Sequence, residues 1–249
     1  YLSDEQRLMR ETCRRYVDNV VVPFLREDRL REWEMNPAKR LAPRLLEEAD
    51  AAGLRGLGVP ERFGGVALDP VTQSQTLALV ATELARGDSG LADKLVQNWK
   101  ISVLIGRFAP ENLQAYWFER YAREPQFLMA HCLTEPRGAS DRWLPYDSVE
   151  ANMDTTAFLD GDEWVLNGRK QFISNGYDAS LYVVYANTDD SAPMSRGTSS
   201  FLVPRETPGV EVTRCNETIG GRFMNNGEIT FDDCRVPADH LLVHNDALA

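Results

Sequence analysis

Long apolar runs are missing from this chain: nowhere in its 249 residues is there a stretch of the roughly 20 apolar positions that a helix needs to cross a bilayer. The start does not read as a signal peptide either, because Ser3, Asp4 and Glu5 follow at once on the first two residues. A soluble, cytoplasmic protein with no membrane partner is the expectation. Positive charge is also in short supply, with 27 Lys and Arg against 38 Asp and Glu for a formal net charge of -11. That deficit argues against a nucleic-acid partner, whose affinity rests on cations that neutralise phosphates, and against docking on anionic lipid. Cys13, Cys132, Cys215, Cys234 and the three histidines show no paired metal-ligand spacing, so neither a metal site nor a disulfide framework is expected and the thiols read as free. Apolar content, by contrast, is ample. At 43% hydrophobic the chain can bury a sizeable core, and its length suits two ordinary domains.

Helical signals fill the first half. Ser3 followed by Gln6 has the pattern of a capping box, and Met9, Cys13, Tyr16, Val17 and Val20 then fall on one face of a helix that Pro23 is expected to end. A second helix is expected from Pro43, burying Leu45, Leu46, Ala49 and Ala52 and stopping at Gly53, which takes a left-handed cap at little cost. Three more follow: one opened by Asp69-Pro70 with Gln73, Leu77, Val80 and Leu84 in register, one over Leu95 to Phe108, and one from Pro110. Met9, Trp99, Tyr116 and Trp117 read as core.

From Phe127 the period shortens. Runs at Phe127–Leu133, Thr155–Leu159, Trp164–Leu166, Leu181–Ala186, Ser199–Val203, Val210–Thr213 and Glu228–Phe231 read as strands, with Asp160-Gly161 and Asn167-Gly168 as hairpin turns. The expected fold class is therefore α+β: an N-terminal α-helical bundle domain over residues 1–125, then an antiparallel β-barrel or sandwich domain over 126–240. Residues 241–249 look like the start of a further helical domain, and with Tyr1 in place of an initiator methionine they make a piece of a longer polypeptide the expectation.

Two stretches carry chemistry. The first strand-like run stops at Thr134-Glu135-Pro136, since proline cannot donate to a sheet ladder, and beyond it Arg137, Gly138, Ala139 and Ser140 offer a cation, small residues, free amides and a hydroxyl in a bend that suits a phosphate. An ordinary proline turn, with Glu135 and Asp141 capping backbone amides, is the alternative. In the second stretch, Arg169 to Gly176, strand alternation would put Phe172 and Ser174 on one side, an aromatic face beside a hydroxyl that could meet the edge of a flat ring such as a flavin.

Together these stretches resemble the acyl-CoA dehydrogenases. The motifs are Thr134-Glu135-Pro136 with Ser140-Asp141, Asn167-Gly168-x-Lys170-x-Phe172-Ile173-Ser174-Asn175, Pro208-Gly209-Val210, and Ile229-x-Phe231-Asp232-Asp233-x-x-Val236-Pro237. Gly53-Leu54, Val59-Pro60-Glu61-x-Phe63-Gly64-Gly65 and Glu83-Leu84-Ala85-Arg86 agree in the first half. The resemblance implies FAD, an acyl-CoA substrate, an electron-transferring flavoprotein or similar acceptor, and a homo- or hetero-oligomer. Thr134 would then hydrogen-bond the pyrimidine end of the flavin, Phe172 would replace a ring-stacking tryptophan, and Ser174, after Ile173, would replace a threonine near the reactive nitrogen. His131, Cys132, Leu133, Arg137, Gly138 and Ser140 would complete the wall, Ser140 also serving the thioester. His131 stands where the family often has tyrosine, Arg137-Gly138-Ala139 replaces its Gly-Ala-Gly, and the connection holding Arg142, Trp143, Pro145 and Tyr146 is longer than usual. The family's catalytic glutamate belongs to a C-terminal helical domain, so no residue of this chain is assigned as the base. Two further readings share the resemblance: a flavin oxidase or monooxygenase on the same fold, and a non-catalytic partner subunit.

Overall fold

The computed structural model describes residues 2–27, 33–137 and 152–244. Helix α1 (Asp4–Tyr16) begins as its sequence requires: the Ser3 hydroxyl accepts from the Gln6 amide and the Gln6 side chain accepts from the Ser3 amide. The helical path does not end at Pro23. A π-helical turn over Val17–Val21 leads into α2 (Val22–Glu27), so Pro23 lies inside a continuing helical path, just after the widened turn. After the short α3 (Pro37–Arg40) come α4 (Pro43–Ala51), α5 (Gln73–Gly87), α6 (Ser89–Phe108, capped by the Asp88 carboxylate on the Leu91 amide) and α7 (Glu111–Arg123). Cys13, Val17, Leu45, Leu46, Val80, Leu84, Leu95 and Trp99 close one core, and the Trp99 indole N–H donates to the Leu54 carbonyl at 2.7 Å. Of the four large residues read as core, Trp99 and Trp117 are buried and Met9 partly so, but Tyr116 is exposed, its ring set edge-on against Trp117.

The β half is one eight-stranded mixed sheet. Its strands are β1 (Met129–Cys132), β2 (Thr156–Asp160), β3 (Glu163–Ile173), β4 (Leu181–Asn187), β5 (Thr198–Pro204), β6 (Val210–Cys215), β7 (Gly227–Pro237) and β8 (Leu241–Val243), with a single helical turn, α8 (Met194–Gly197), before β5. The order is β6-β7-β3-β2-β4-β5-β8, with β1 also on β4. The expected order of a helical domain and then a β domain holds; the sheet is mixed rather than purely antiparallel, because β1 and β2 both run parallel to β4, and among the described residues its path does not close. Asp160-Gly161 does make the β2–β3 hairpin, with Asp160 opposite Glu163. Asn167-Gly168 does not turn the chain; it forms a bulge inside β3, where Gly168 lies so close to Thr155 that a Cβ would sit 2.5 Å from its hydroxyl oxygen.

Strand β4 explains how the two halves meet. Tyr182, Val184 and Ala186 pack with Trp164, Phe201 and Ile229 in the sheet's own core, while Leu181 and Val183 pack with Ile101, Ile105, Trp117 and Phe118 from the helices. Alternate side chains thus serve two cores, as period-two geometry demands of a strand buried on both faces. Helix α6 also comes close at Gly90, where a Cβ would lie 2.6 Å from the Gly221 carbonyl.

Candidate active site

The two stretches singled out in the sequence lie side by side. Beyond β1 the Thr134 carbonyl accepts from the Gln171 amide at 2.9 Å, and the Gln171 side chain donates to the Glu135 carbonyl at 3.1 Å. Beneath them is a buried ion pair: the Lys170 ammonium lies 2.7 Å from Glu135 Oε1, with side-chain exposures of 0% and 5%. Glu135 also accepts from the backbone amides of Asp154 (2.7 Å) and Thr155 (2.9 Å), the amide-capping role read for it in the turn. Burial raises the Glu135 carboxyl pKa, but the Lys170 ammonium and these hydrogen bonds outweigh it and hold the group below its ordinary value. The pair fixes the backbone on which Thr134 sits, and the Thr134 hydroxyl makes no hydrogen bond to another described residue. Lys170 was legible as part of a motif but not as the partner of Glu135.

Phe172 departs from the strand geometry expected of it. The register against β7 shifts between Lys170 and Ile173, and Phe172 adopts φ 55°, so strand alternation no longer relates it to Ser174. Left-handed backbone is costly for an aromatic residue. Phe172 is 57% exposed while Ile173 stays buried. Ser174, half-buried, donates its hydroxyl to Asp93 Oδ2 of α6 at 3.0 Å. Gln97, one turn later, donates to Asp93 Oδ1 at 3.3 Å. Sequence reasoning missed Asp93; its signal was the adjacent acidic and basic pair Asp93-Lys94 set between the apolar Leu91-Ala92 and Leu95-Val96.

Helix α6 holds this part of the sheet by several polar contacts. The Lys94 ammonium meets Asp178 Oδ2 at 3.0 Å with 1% and 7% side-chain exposure, and Asn225 donates to the same oxygen at 2.7 Å. Asn98 accepts from the Met129 amide, and Asn175 donates to the carbonyls of Lys94 and Met129. Arg40, from α3, donates to Asn225 at 3.1 Å and lies 3.1 Å from Glu217.

The other expected wall residues take several roles. His131 Nε2 is 2.9 Å from the Tyr185 hydroxyl, with both groups half-buried. The side chains of Cys132 and Leu133 are buried, and burial pushes the Cys132 thiol far up, which leaves it a packing group. Arg137 is exposed and forked onto the Asp154 carboxylate at 2.6–3.0 Å, so a phosphate would have to share its guanidinium. Gly138 and Ser140 lie outside the described residues, as do Ala139, Asp141, Arg142, Trp143, Pro145 and Tyr146.

Two family models match most of the chain in succession: the acyl-CoA dehydrogenase N-terminal domain over residues 3–125 and the acyl-CoA dehydrogenase middle domain over residues 130–234. The chain belongs to the acyl-CoA dehydrogenase family. It is 29% identical over 244 residues to the short-chain specific acyl-CoA dehydrogenase of rat mitochondria (Rattus norvegicus), a match covering 97% of this chain and 54% of that protein. It spans about half the length of the curated relatives it matches. A glutaryl-coenzyme A dehydrogenase solved with glutaryl-CoA superposes with a TM-score of 0.83 at 29% identity, covering 100% of this chain and 59% of that one. An acyl-CoA dehydrogenase from Bacillus anthracis solved with FAD superposes with a TM-score of 0.76 at 29% identity, covering 98% and 38%. Relatives with acyl groups as different as glutaryl and isovaleryl match at nearly the same identity, so likeness alone does not select a substrate.

Proposed function

We propose that the protein is an FAD-dependent acyl-CoA dehydrogenase that desaturates an acyl-CoA thioester between its α and β carbons. The observation that carries this reading is the exposed Phe172 side chain, presented from left-handed backbone next to a segment whose Thr134 hydroxyl meets no partner among the described residues. An aromatic face and a hydroxyl on a backbone clamped by a buried ion pair fit a flat heteroaromatic ring with a polar edge. The FAD held by a structural relative agrees with that fit.

Thr134 would meet the pyrimidine edge of the flavin, Phe172 would cover part of its face, and Ser174 would lie toward its reactive edge. Ile173 and the backbone from His131 to Leu133 would complete the wall, with Arg137 toward the pyrophosphate. When bound, FAD would supply the acceptor for the hydride leaving the β-carbon. The buried Glu135–Lys170 pair holds the wall rigid, which keeps donors aimed without reorganisation at the moment of reaction. Glu135 is spent on Lys170 and two amides, so it is not assigned as the base for the α-proton. An electron-transferring flavoprotein is the acceptor this reading implies, and an oligomer in the cytoplasm its setting.

Removing both hydroxyls, as Thr134→Val with Ser174→Ala, should weaken FAD binding. The Thr134 hydrogen bond is worth about 0.5–1.5 kcal/mol, or roughly 2- to 13-fold, and Ser174, whose proton is donated to Asp93, adds to that only by turning from Asp93 to the flavin. The flavin-to-protein absorbance ratio of the complete protein after gel filtration reads this out, and an unchanged ratio would remove both residues from the flavin site.

A further inference from the structure

We infer that Asp93 sets substrate choice at this site, favouring an acyl group that carries a positive charge over apolar and acidic ones. The inference rests on the reading above, which puts Ser174 at the reactive edge of the flavin, and deepens it by naming a substrate class.

Asp93 and Lys94 are consecutive on α6, and the fold treats them differently. Lys94 points into the protein, where Asp178 neutralises it out of contact with water. Asp93 points toward Ser174 and remains half-buried. Its two carboxylate oxygens receive one hydrogen bond each, from the Ser174 hydroxyl and the Gln97 amide, both neutral donors. Among the described residues no lysine or arginine pairs with it, although eighteen ion pairs elsewhere satisfy most of the carboxylates set into the fold's interior, Glu83, Glu135, Asp178 and Glu228 among them.

A half-buried carboxylate that meets only neutral donors among the described residues has no counter-charge there, and ligand binding makes that worse. The reacting carbons of any substrate must lie against the flavin edge, so its acyl group passes close to Ser174 and hence to Asp93. An apolar acyl group would strip water from the carboxylate and return nothing, and an acidic one would add like-charge repulsion. A cationic group at the far end of a short acyl chain supplies the missing counter-charge. Specificity then comes from both the attraction and the penalty imposed on competitors. Fixed by Ser174 and Gln97, the carboxylate is already oriented when the substrate arrives.

Three thioesters of similar size separate charge from shape: 4-trimethylammoniobutyryl-CoA, its neutral carbon isostere 5,5-dimethylhexanoyl-CoA, and glutaryl-CoA. The complete, FAD-loaded protein is titrated anaerobically with each, following perturbation of the flavin spectrum for binding and its bleaching for turnover. The cationic thioester should bind at least about tenfold more tightly than its isostere, the effect expected of one opposite charge a few ångströms away in a partly solvated site, with glutaryl-CoA the weakest. Asp93→Asn, which keeps the shape and can still meet Ser174, should bring the cation and its isostere to within about twofold. Asp93→Leu should favour the isostere. Equal affinity of the parent for cation and isostere overturns the inference while leaving the dehydrogenase reading intact, provided the flavin still bleaches. Loss of bleaching with all three thioesters in Asp93→Asn, at unchanged relative affinities, also overturns it and makes Asp93 part of the chemical step. Failure of the parent to bind any of the thioesters removes the dehydrogenase reading and the inference with it.

Discussion

Replacing Lys170 with methionine is expected to destabilise the protein by about 3–5 kcal/mol, because it strands the Glu135 carboxylate in a buried site. The size follows from burial: with side-chain exposures of 0% and 5%, neither partner can turn to water for the lost attraction. Glu135→Gln in the Lys170→Met background should recover part of the loss by removing the charge, and only part, since the Asp154 and Thr155 amides each donate to a different carboxylate oxygen and the glutamine nitrogen that replaces one of those oxygens cannot accept. The pH dependence supplies a second signature. In the parent, Glu135 titrates below its ordinary 4.5, so its contribution is fully present above pH 4.5 and is lost as the pH falls through the lower folded value. Without Lys170 the buried carboxyl should titrate above its unfolded value, and the variant should gain stability as the pH falls from neutral. The gap between parent and variant should therefore narrow toward acid, as urea unfolding at a series of pH values would read. A constant gap would mean that charge is not what Lys170 contributes.

Lys94→Met should have an effect of similar size, about 3–5 kcal/mol, through a different route. It leaves Asp178 with the Asn225 amide but no cation, 7% exposed, at the point where α6 meets the turn after β3. Because Asp93 and Ser174 bridge the same two elements, loosening α6 should also disturb the candidate site. We expect Lys94→Met to lower both the unfolding midpoint and FAD retention, whereas an equally destabilising change remote from α6, such as Cys234→Ser in the sheet core, should lower the midpoint alone when both are compared well below their transitions. Equal FAD retention in the two variants would show that α6 is not part of the cofactor's support.

These contacts also mark what the sequence could and could not reveal. Local caps placed the ends of α1 and α4, because Ser3-Gln6 and Pro43-to-Gly53 act through neighbours in the chain, but α5 starts at Gln73 rather than at Asp69-Pro70, and α6 at Ser89, under the Asp88 cap, rather than at Leu95. Pro23 and Asn167-Gly168 misled for the same local reason: a proline after a π-helical turn and a glycine at a bulge are compatible with a continuing element once tertiary contacts hold it. The site divides along this line too. Thr134 and Ser174 stood out in motifs, while Asp93 became meaningful only when α6 packed against the end of β3, 81 residues away in sequence. The left-handed backbone of Phe172 had no local signal, since nothing in its side chain favours that conformation.

The central claim, that the site holds FAD for acyl-CoA desaturation, is tested most directly by anaerobic spectroscopy of the complete protein. The account predicts that it purifies with a flavin spectrum, that an acyl-CoA thioester bleaches the bands, and that the product is the α,β-unsaturated thioester, with the flavin reoxidised by an electron-transferring flavoprotein faster than by oxygen. Flavin that is bound but left oxidised by every acyl-CoA, or a reduced flavin that oxygen reoxidises faster than the flavoprotein does, would contradict it.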